Sequence, residues 1–241
     1  MRKWELIHEK QLCIHADMIT TVDPEMAGRI GKLIQKDVSV IYNGFWDYYQ
    51  SSKVLHKETQ KMIINHTGTL TVGQQIEVFL DALLVLFKRN QLKKENFEFN
   101  LIGLEYFPQQ IKRLESYKEM IGEIIFTTPR LPKKEAVEMN LKADYLINFT
   151  DPNLSAVYAK TYDYIACQKP ILVIPGDNGL LDKLVIKNKL GKVLNSQEEI
   201  IQLLLNPGVD YTPNISDTSF FTRRNQTNIF VEKIEMLISR H

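Results

Sequence analysis

An alternation of short apolar segments with helical segments constrains this chain more than any other feature, and it runs from residue 61 to residue 205. Strands that alternate with helices of about ten or more residues form βαβ units, because a parallel strand is reached only through a crossover. The chain is therefore predicted to be an α/β protein with a doubly wound, Rossmann-like parallel sheet and helices on both faces. The predicted strands are KMIINHTG, FEFNLIG, GEIIFTT, ADYLINFT, KPILVI and GKVL. The predicted helices include FPQQIKRLESYKEMI over 107–121 and SAVYAKTYDYIACQ, which begins at Ser155.

Shorter elements flank this repeat on both sides. A helix is predicted from Pro24, because Asp23 is a good N-cap residue and proline suits the first helical position. The other predicted elements are a helix over 1–15, the short strands ADMITTVD and VSVIYNG, a polar stretch at 50–61, a loop at 206–219 and a final helix from Arg223.

Composition excludes several classes of protein. The 241 residues are 44% hydrophobic, which suffices for a core, and 30 basic against 29 acidic residues give a formal net charge of +1. No global field attracts nucleic acid or an anionic membrane, so any anion site must be local. Two distant cysteines, Cys13 and Cys167, predict buried side chains and neither a disulfide nor a zinc site. No signal peptide or membrane span is recognised, so a cytoplasmic location is expected.

Ligands of an open parallel sheet bind beyond the carboxyl ends of its strands, where loops lead into helix N-termini. Two of these loops carry a glycine at the strand exit, Gly68 in HTGTLTVGQQ and Gly103 in GLEYFP. Neither loop has a dinucleotide fingerprint or a phosphate-loop motif. Each glycine therefore has two interpretations, a tight exit from a strand or a contact to phosphate. The other loops at this edge are 127–134, 150–160 and 175–179.

The stretch AKTYDYIACQKPILVI reads as a buried helix followed by a buried strand, yet it carries Lys160 and Asp163 one turn apart. At about 100° per residue these two residues share one side of the helix with Tyr164 and Cys167, and the opposite side explains the contact with the core. Two interpretations stay open at this point. The two charged side chains form a weak, solvent-exposed ion pair, or they face a ligand.

The same stretch carries a resemblance to a known family. Together with GLLDKLVIKNKLGKVL it is similar to the Lys-x-x-Glu-Tyr-(Leu/Ile)-Ala…Lys-Pro-Ile segment of family 4 (group 1) glycosyltransferases of the GT-B fold, as found in capsular and exopolysaccharide synthesis. From about Ile14 onward the chain resembles the second, nucleotide-sugar-binding half of such enzymes. The other similar segments are HADMITTVDPEMAGRI…VSVIYNGF, INHTGTLTVGQQIEVFLDALLVL and RLPKKEAVEMNLKADYLINF.

The resemblance implies roles for particular residues. Asp163 would accept hydrogen bonds from both ribose hydroxyls, which suits the acceptor-only oxygens of a carboxylate. The base would lie against Arg130 and Leu131, and the diphosphate would approach the turn at Gly68 and the N-terminus of the helix that carries Lys160. No catalytic residue is assigned, and Lys160 is the best candidate for contacting the leaving diphosphate. The candidate nucleotide-sugar-binding residues are Gly68, Thr69, Gly103, Arg130, Leu131, Ser155, Tyr158, Lys160 and Asp163.

Three positions depart from the family pattern. The first acid of the family would stand at Ser155, and the Arg and Lys that clamp the diphosphate would stand at Thr69 and Gln74. Lys160 is expected to replace those cations in part, although one cation stabilises a leaving diphosphate less than two do. The sequence contains no Asp-x-Asp motif, which agrees with the metal-independent site that the resemblance implies. No metal or other cofactor is expected beside the nucleotide diphosphate sugar.

The resemblance also implies a division of the chain. Residues 1–37 look like a remnant of the N-terminal acceptor domain, 38–222 like the nucleotide-sugar-binding domain, and 223–241 like a helix that crosses back toward the N-terminal segment. Asn43 and Gly44 would mark the hinge. The glycan or lipid-linked acceptor would bind through a missing N-terminal domain or a partner chain, so this chain alone is expected to be an incomplete hexosyltransferase. Nucleic acid is not an expected partner, and peripheral association with the inner face of the membrane stays open.

Three functions stay open at this stage. The leading hypothesis is the donor-binding domain of a glycosyltransferase that uses a nucleotide diphosphate sugar and a polysaccharide or lipid-linked acceptor, with retention implied by the resemblance alone. The second is a non-catalytic nucleotide-sugar-binding module that acts with a partner chain, because the three departures weaken the site. The third is a GT-B UDP-sugar 2-epimerase relative. Against it, the histidines are scattered, and His66 is interpreted as a packed core or loop residue and not as a base.

Overall fold

The computed structural model describes residues 3–46, 60–208 and 218–239. The chain forms two compact units. The terminal unit consists of residues 1–47 and 219–241, and the sheet unit consists of residues 48–218.

Helices and strands follow one another in the predicted order. The α-helices of the described residues are α1 (Lys3–Ile14), α2 (Pro24–Ile34), α3 (Glu77–Lys88), α4 (Pro108–Ile111), α5 (Lys133–Lys142), α6 (Ala159–Cys167), α7 (Leu180–Lys187), α8 (Gln197–Leu205) and α9 (Arg223–Ile238), and 3₁₀ segments lie at Leu104–Tyr106 and Lys112–Met120. The strands are β1 (Thr20–Thr21), β2 (Ser39–Val40), β3 (Met62–Thr67), β4 (Phe97–Ile102), β5 (Ile125–Thr128), β6 (Tyr145–Phe149), β7 (Ile171–Ile174) and β8 (Gly191–Val193).

The sheet unit is built on a six-stranded sheet in the order β5-β4-β3-β6-β7-β8, and every neighbouring pair is parallel. Strands covered on both faces are apolar along their whole length, as in β7, whose four residues are all buried. The prediction of a doubly wound α/β sheet is confirmed. The strand order reverses between β3 and β6, so the carboxyl ends of these two strands form the topological switch point at which such sheets bind ligands.

A continuous hydrophobic core covers one face of this sheet. Phe79 of α3, Phe99 of β4 and Phe149 of β6 pack with ring centroids 4.9 to 6.3 Å apart. Aromatic pairs at such distances stabilise a core beyond the area that they bury. Leu83 of α3 and Ile200 of α8 are fully buried in the same cluster. Because Phe149 is the last residue of β6, this core holds one side of the switch point in place.

Two helix predictions differ from the structure in their boundaries. In place of one helix over 107–121 the chain forms α4 and a 3₁₀ segment, and the 3₁₀ segment is itself kinked at Tyr117, which has the non-helical angles φ −118° and ψ 17°. Helix α6 begins at Ala159, after the predicted start at Ser155. The Ser155 hydroxyl accepts a hydrogen bond from the backbone N–H of Leu180, at 3.0 Å, and this contact fixes Ser155 in a loop beside α7.

The terminal unit contains the parallel pair β1 and β2. Helix α2 begins as predicted, because the Asp23 carboxylate accepts a hydrogen bond from the backbone N–H of Met26 at 2.7 Å. The Phe45 N–H donates to the Phe221 carbonyl at 3.1 Å. Gly44 lies so close to the same segment that a methyl group there would be 2.8 Å from the Phe221 oxygen. The division at residues 37 and 222 and the hinge at Gly44 remain predictions.

Three further predictions concern the two cysteines, membrane-spanning helices and two polar segments. Cys167 is buried as predicted, but Cys13 is only half-buried, because α1 is exposed along the side that carries Leu12. Among the described residues no helix is both long enough and apolar enough to cross a membrane. Most of the polar stretch at 50–61 and of the loop at 206–219 lies outside the described residues.

We predict that Gly191→Ala lowers the free energy of unfolding by about 3 kcal/mol, because overpacking against a backbone atom forces β7 and β8 apart. A methyl group on Gly191 would lie 1.9 Å from the Ile171 carbonyl oxygen. Urea unfolding followed by circular dichroism measures the change. Gly208→Ala is the control, since in the part of the chain that the structure describes no atom lies within 4 Å of a methyl group at that position. Equal stability of the two variants would contradict the close approach of β7 and β8.

Candidate functional site

The candidate site is a cleft of about 460 Å³ at the carboxyl ends of β3 and β4, next to the switch point. We name it the switch-point cleft. Backbone turns, aromatic side chains and charged side chains all contribute to its walls. The lining residues are Thr67, Gly68, Thr69, Ile102, Gly103, Tyr106, Phe107, Arg130, Leu131, Lys133, Ala136 and Asp163.

Two glycine turns form the floor of the cleft. Gly68 and Gly103 have φ values of +95° and +89°, a left-handed conformation that favours glycine. Each turn extends the hydrogen bonding of the sheet, since Gly68 N–H donates to Ile102 O at 2.7 Å and Gly103 N–H donates to Thr128 O at 3.1 Å. A methyl group on Gly103 would be 3.7 Å from Gly68 Cα, so the two turns touch. Both glycines therefore form tight turns at the ends of their strands, and these turns bring backbone atoms close to any ligand in the cleft.

Side chains from neighbouring elements hold the loop that follows Gly68. Gln74 is buried, accepts a hydrogen bond from Thr71 N–H at 2.8 Å and donates to Phe149 O at 2.8 Å. The Arg113 guanidinium donates to the Gln74 carbonyl at 2.6 Å and also binds Glu77 in α3. The position at which the resemblance leads us to expect a diphosphate-binding lysine is thus occupied by an amide that braces the loop. Arg113 supports this loop from outside the lining of the cleft.

Lys160 lies in the first turn of α6 and points toward the glycine turn. Its Nζ is 3.1 Å from Nε2 of His66 and 3.4 Å from the carbonyl oxygen of Thr69. A methyl group on Gly68 would lie 3.7 Å from the same Nζ. Burial lowers the pKa of the Lys160 ammonium to about 7, because desolvation disfavours the charged form. Because Lys160 is the second residue of α6, the positive end of the helix dipole lies next to this cation.

His66 is fully buried in β3, which confirms its interpretation as a packed core residue. Its ring lies 5.1 Å from the Phe149 ring, and its Nδ1 is 3.0 Å from the Ile147 carbonyl oxygen. Because a carbonyl only accepts, Nδ1 must carry the proton. Desolvation lowers the pKa of His66 well below its usual value, and the neighbouring Lys160 lowers it further. The ring is therefore neutral, and its Nε2 presents a lone pair to Lys160.

Asp163 forms its ion pair with a residue outside its own helix. One carboxylate oxygen of Asp163 lies 3.1 Å from Nζ of Lys133, the first residue of α5. The interpretation of Lys160 and Asp163 as a surface ion pair is therefore wrong. Tyr164 and Cys167, which helical periodicity groups with Lys160 and Asp163, are buried. Asp163, in contrast, lines the cleft.

The outer wall of the cleft is aromatic and cationic. The Arg130 guanidinium carbon lies 5.6 Å from the centroid of the Tyr106 ring, within the range of a cation–π interaction. The Tyr106 and Phe107 rings meet edge to face at 4.8 Å, and both are substantially exposed. This arrangement leaves a planar guanidinium and flat rings accessible from the cleft.

The structure brings together most of the residues predicted from sequence. Gly68, Thr69, Gly103, Arg130, Leu131 and Asp163 line the switch-point cleft, and Lys160 contacts its floor. Two predicted residues do not line it. Ser155 caps the start of α7 through Leu180, and Tyr158 is a half-buried residue at the N-cap of α6, where burial raises the pKa of its hydroxyl.

Sequence reasoning missed three contributors to the site. Tyr106 and Lys133 lie within two of the loops selected from the sequence, 103–108 and 127–134, but neither was singled out there. No local pattern distinguishes them within those loops. His66 was noticed, but its contact with Lys160 joins positions 94 residues apart, and no spacing in the sequence predicts it.

Known protein families offer no match at the level of sequence: no family model matches the chain, and no curated protein matches it. Solved structures do match it. HepE from Anabaena, in complex with UDP and glucose, aligns at a TM-score of 0.67 and 12% identity, over 98% of this chain and 68% of its own. Sucrose-phosphate synthase from Thermosynechococcus elongatus aligns at a TM-score of 0.72 and 13% identity, over 100% of this chain and 63% of its own. A glycosyltransferase from Rickettsia africae aligns at a TM-score of 0.73 and 13% identity, over 100% of this chain and 69% of its own.

The chain has the fold of GT-B glycosyltransferases. The match extends over the whole chain but over only 63% to 69% of these three chains, which confirms the predicted likeness to one half of a GT-B protein. Identities of 12% to 13% relate the fold alone, and membership of family 4 remains a prediction. Among the described residues, no group of three or more His, Cys, Asp or Glu side chains is arranged to hold a metal ion.

We predict that Lys160→Met raises the melting temperature of the free protein, and that it does so more at pH 6 than at pH 9. A lysine in the unfolded chain titrates near 10.4, whereas burial lowers the pKa of Lys160 to about 7 in the folded protein. The buried charge therefore destabilises the folded state most below pH 7. This destabilisation declines as the pH rises from 7 toward 10, because the unfolded state then binds more protons than the folded state.

Differential scanning calorimetry at both pH values measures this effect. The control is Lys134→Met, at an exposed lysine of α5, which should leave the melting temperature nearly unchanged at either pH. A Lys160→Met variant that is less stable than wild type at pH 6 would show that the ammonium is not a source of strain.

Proposed function

We propose that this chain is the donor-binding domain of a glycosyltransferase that transfers a sugar from a nucleotide diphosphate sugar. The observation that carries the proposal is the switch-point cleft, in which one carboxylate, two glycine turns and several cations converge. HepE, which shares the fold, has been solved with UDP and with UDP-glucose. A nucleoside diphosphate has the matching chemistry, with hydroxyls, a polyanion and a flat base.

The ribose is placed at Asp163. A carboxylate accepts hydrogen bonds from two adjacent hydroxyls and donates none, which suits the 2′ and 3′ positions. Lys133 holds the Asp163 carboxylate in an ion pair at 3.1 Å, and both residues line the cleft. Asp163 remains half-exposed, so a ligand reaches it without opening the core.

The diphosphate is placed on the floor of the cleft. The turn at Gly68 and Thr69 brings backbone close to the ligand, and the N-terminus of α6 supplies the positive end of a helix dipole. Lys160 brings its ammonium group to the same point. In sugar transfer the bond between the anomeric carbon and the diphosphate oxygen breaks, and the charge left on that oxygen is stabilised by Lys160 and these backbone groups.

The base is placed against the outer wall. Arg130 and Leu131 contribute a planar guanidinium and an apolar side chain, and the adjacent Tyr106 ring is exposed. Such surfaces stack on a heterocyclic base with little dependence on its identity. The site therefore leaves open which base the donor carries.

The remaining parts of the proposal rest on the resemblance. The sugar is a hexose, transfer retains the anomeric configuration, no metal is required, and the reaction belongs to capsule or exopolysaccharide synthesis in the cytoplasm. A polysaccharide or lipid-linked acceptor binds through a further domain or a partner chain, because the chain spans about two thirds of the GT-B proteins that it matches.

Two contacts favour a second candidate function, a non-catalytic nucleotide-sugar-binding module. The positions of the first acid and of one cation clamp are Ser155 and Gln74, and both side chains are engaged in structural hydrogen bonds. A site without these groups binds a nucleotide but stabilises the charge of the leaving diphosphate less. Such a module binds the donor without transferring its sugar.

We predict that Asp163→Ala weakens the binding of UDP or GDP by about 1 to 3 kcal/mol, because it removes charge-assisted hydrogen bonds to the ribose. Isothermal titration calorimetry of both nucleotides measures the loss. The matched control is Glu135→Ala, at an exposed carboxylate of α5 outside the cleft lining, which should bind as wild type does.

A protein that binds neither nucleotide, or an Asp163→Ala variant with unchanged affinity, would overturn the placement of the ribose. Donor hydrolysis separates the two candidate functions. An active transferase domain releases UDP slowly from UDP-sugar even without its acceptor, whereas a binding module leaves the donor intact.

A further inference from the structure

Lys160 is a partly buried cation, and its contact with His66 differs from the way proteins usually hold such a charge. Buried charges are normally paired with an opposite charge, because desolvation is otherwise costly. Among the described residues Lys160 forms no salt bridge, and Asp163, one turn along α6, pairs with Lys133. Its ammonium contacts the neutral nitrogen of His66 and the carbonyl of Thr69.

The proton arrangement of His66 is determined by the sheet. Strands β3 and β6 pair through Ile64 and Asn65. His66, the next residue of β3, contacts β6 through its side chain. The His66 Nδ1–H donates to Ile147 O at 3.0 Å, which leaves Nε2 unprotonated and directed at Lys160. A protonated ring would place a second positive charge and a second donor 3.1 Å from the ammonium, so burial and Lys160 together keep the ring neutral.

A neutral acceptor has a consequence that a carboxylate would not have. A carboxylate at 3.1 Å would orient the Lys160 ammonium but would also neutralise it. An imidazole nitrogen orients the ammonium and leaves its charge available to a ligand. The glycine turn lies directly beside the ammonium, since a methyl group on Gly68 would be in van der Waals contact with Nζ at 3.7 Å.

We propose that His66 is a positioning residue for Lys160, whose ammonium it holds against the Gly68–Thr69 turn as an unneutralised cation for the diphosphate of the ligand. This inference rests on the proposed function for the identity of the anion, and on the structure alone for the pairing. His66 itself does not contact the ligand, because it is fully buried.

Other ionisable groups surround the pair and must stay constant in any test. Asp163 and Tyr164 lie on the same helix, and Lys133 of α5 and Arg130 of the preceding loop line the cleft. Tyr164 is buried, and its hydroxyl accepts from Thr67 N–H at 2.8 Å. Substitutions at His66 leave all four of these side chains in place.

Two substitutions at His66 separate positioning from packing. In His66→Gln the amide oxygen reaches the position of Nε2 and still accepts from Lys160, but the donation to Ile147 is lost. In His66→Asn the shorter amide reaches the position of Nδ1 and still donates to Ile147, but the acceptor for Lys160 is lost. We expect the affinity for UDP or GDP to fall less than about threefold in the Gln variant and about tenfold in the Asn variant.

A role in packing alone predicts equal losses or the reverse order. It also predicts that His66→Asn weakens binding in a Lys160→Met background, whereas positioning through Lys160 predicts no further loss there. Equal or reversed losses in the two His66 variants would overturn the proposal. An undiminished effect of His66→Asn in the Lys160→Met background would overturn it as well.

A measurement without nucleotide keeps the pairing testable if the proposed function fails. The ¹³Cε resonance of Lys160, assigned with Lys160→Met, reports its titration in the wild type and in both His66 variants. We expect His66→Asn to move the titration to lower pH and His66→Gln to leave it near that of wild type. A shift without nucleotide binding would overturn the proposed function and keep the positioning role, and the absence of any shift would overturn the positioning role.

The wild-type protein provides a test that needs no variant to fold. ¹⁵N resonances of His66 distinguish a protonated Nδ1 from a protonated Nε2. We expect a neutral ring with the proton on Nδ1 across pH 6 to 8. A proton on Nε2 would remove the acceptor for Lys160 and overturn the proposal.

Discussion

The ladder between β3 and β6 ends after two residue pairs, and the site depends on what replaces it. Beyond that point the carbonyl of Ile147 has no backbone donor from β3 and is satisfied by the His66 ring and the Tyr164 hydroxyl. Buried carbonyls require such partners. The ring that satisfies the strand also presents its second nitrogen to Lys160, so one structural requirement of the sheet determines the position of the cation.

The distribution of charge in the cleft follows from this arrangement. Asp163 is balanced by Lys133, whereas Lys160 has a neutral partner and Arg130 lies over an aromatic ring. The cleft therefore has an excess of positive charge although the whole chain carries a net charge of only +1. A local field of this kind suits a compact polyanion better than an extended one.

The sequence predicted the fold well, because the alternation of apolar strands and helices determines an α/β class without knowledge of any long-range contact. For the same reason it predicted that the site lies at the carboxyl edge of the sheet. The loops and helix at that edge contain Gly68, Gly103 and Asp163, which line the cleft. It placed Ser155 incorrectly in α6, because helical periodicity does not show that a serine hydroxyl will cap another helix. Of its two interpretations of Lys160 and Asp163, the mutual ion pair is wrong, because Asp163 pairs with Lys133.

What the sequence by itself determined is periodic or local: the strand and helix pattern, the glycines at the strand exits, and the charged residues in a helix that otherwise looks buried. Only the tertiary structure decided which charges meet. Lys133 reaches Asp163, and His66 reaches Lys160 across 94 residues, because parallel strands collect the ends of distant segments at one edge. Electrostatic partners depend on distance in space, and distance in space is set by strand order and not by position in the chain.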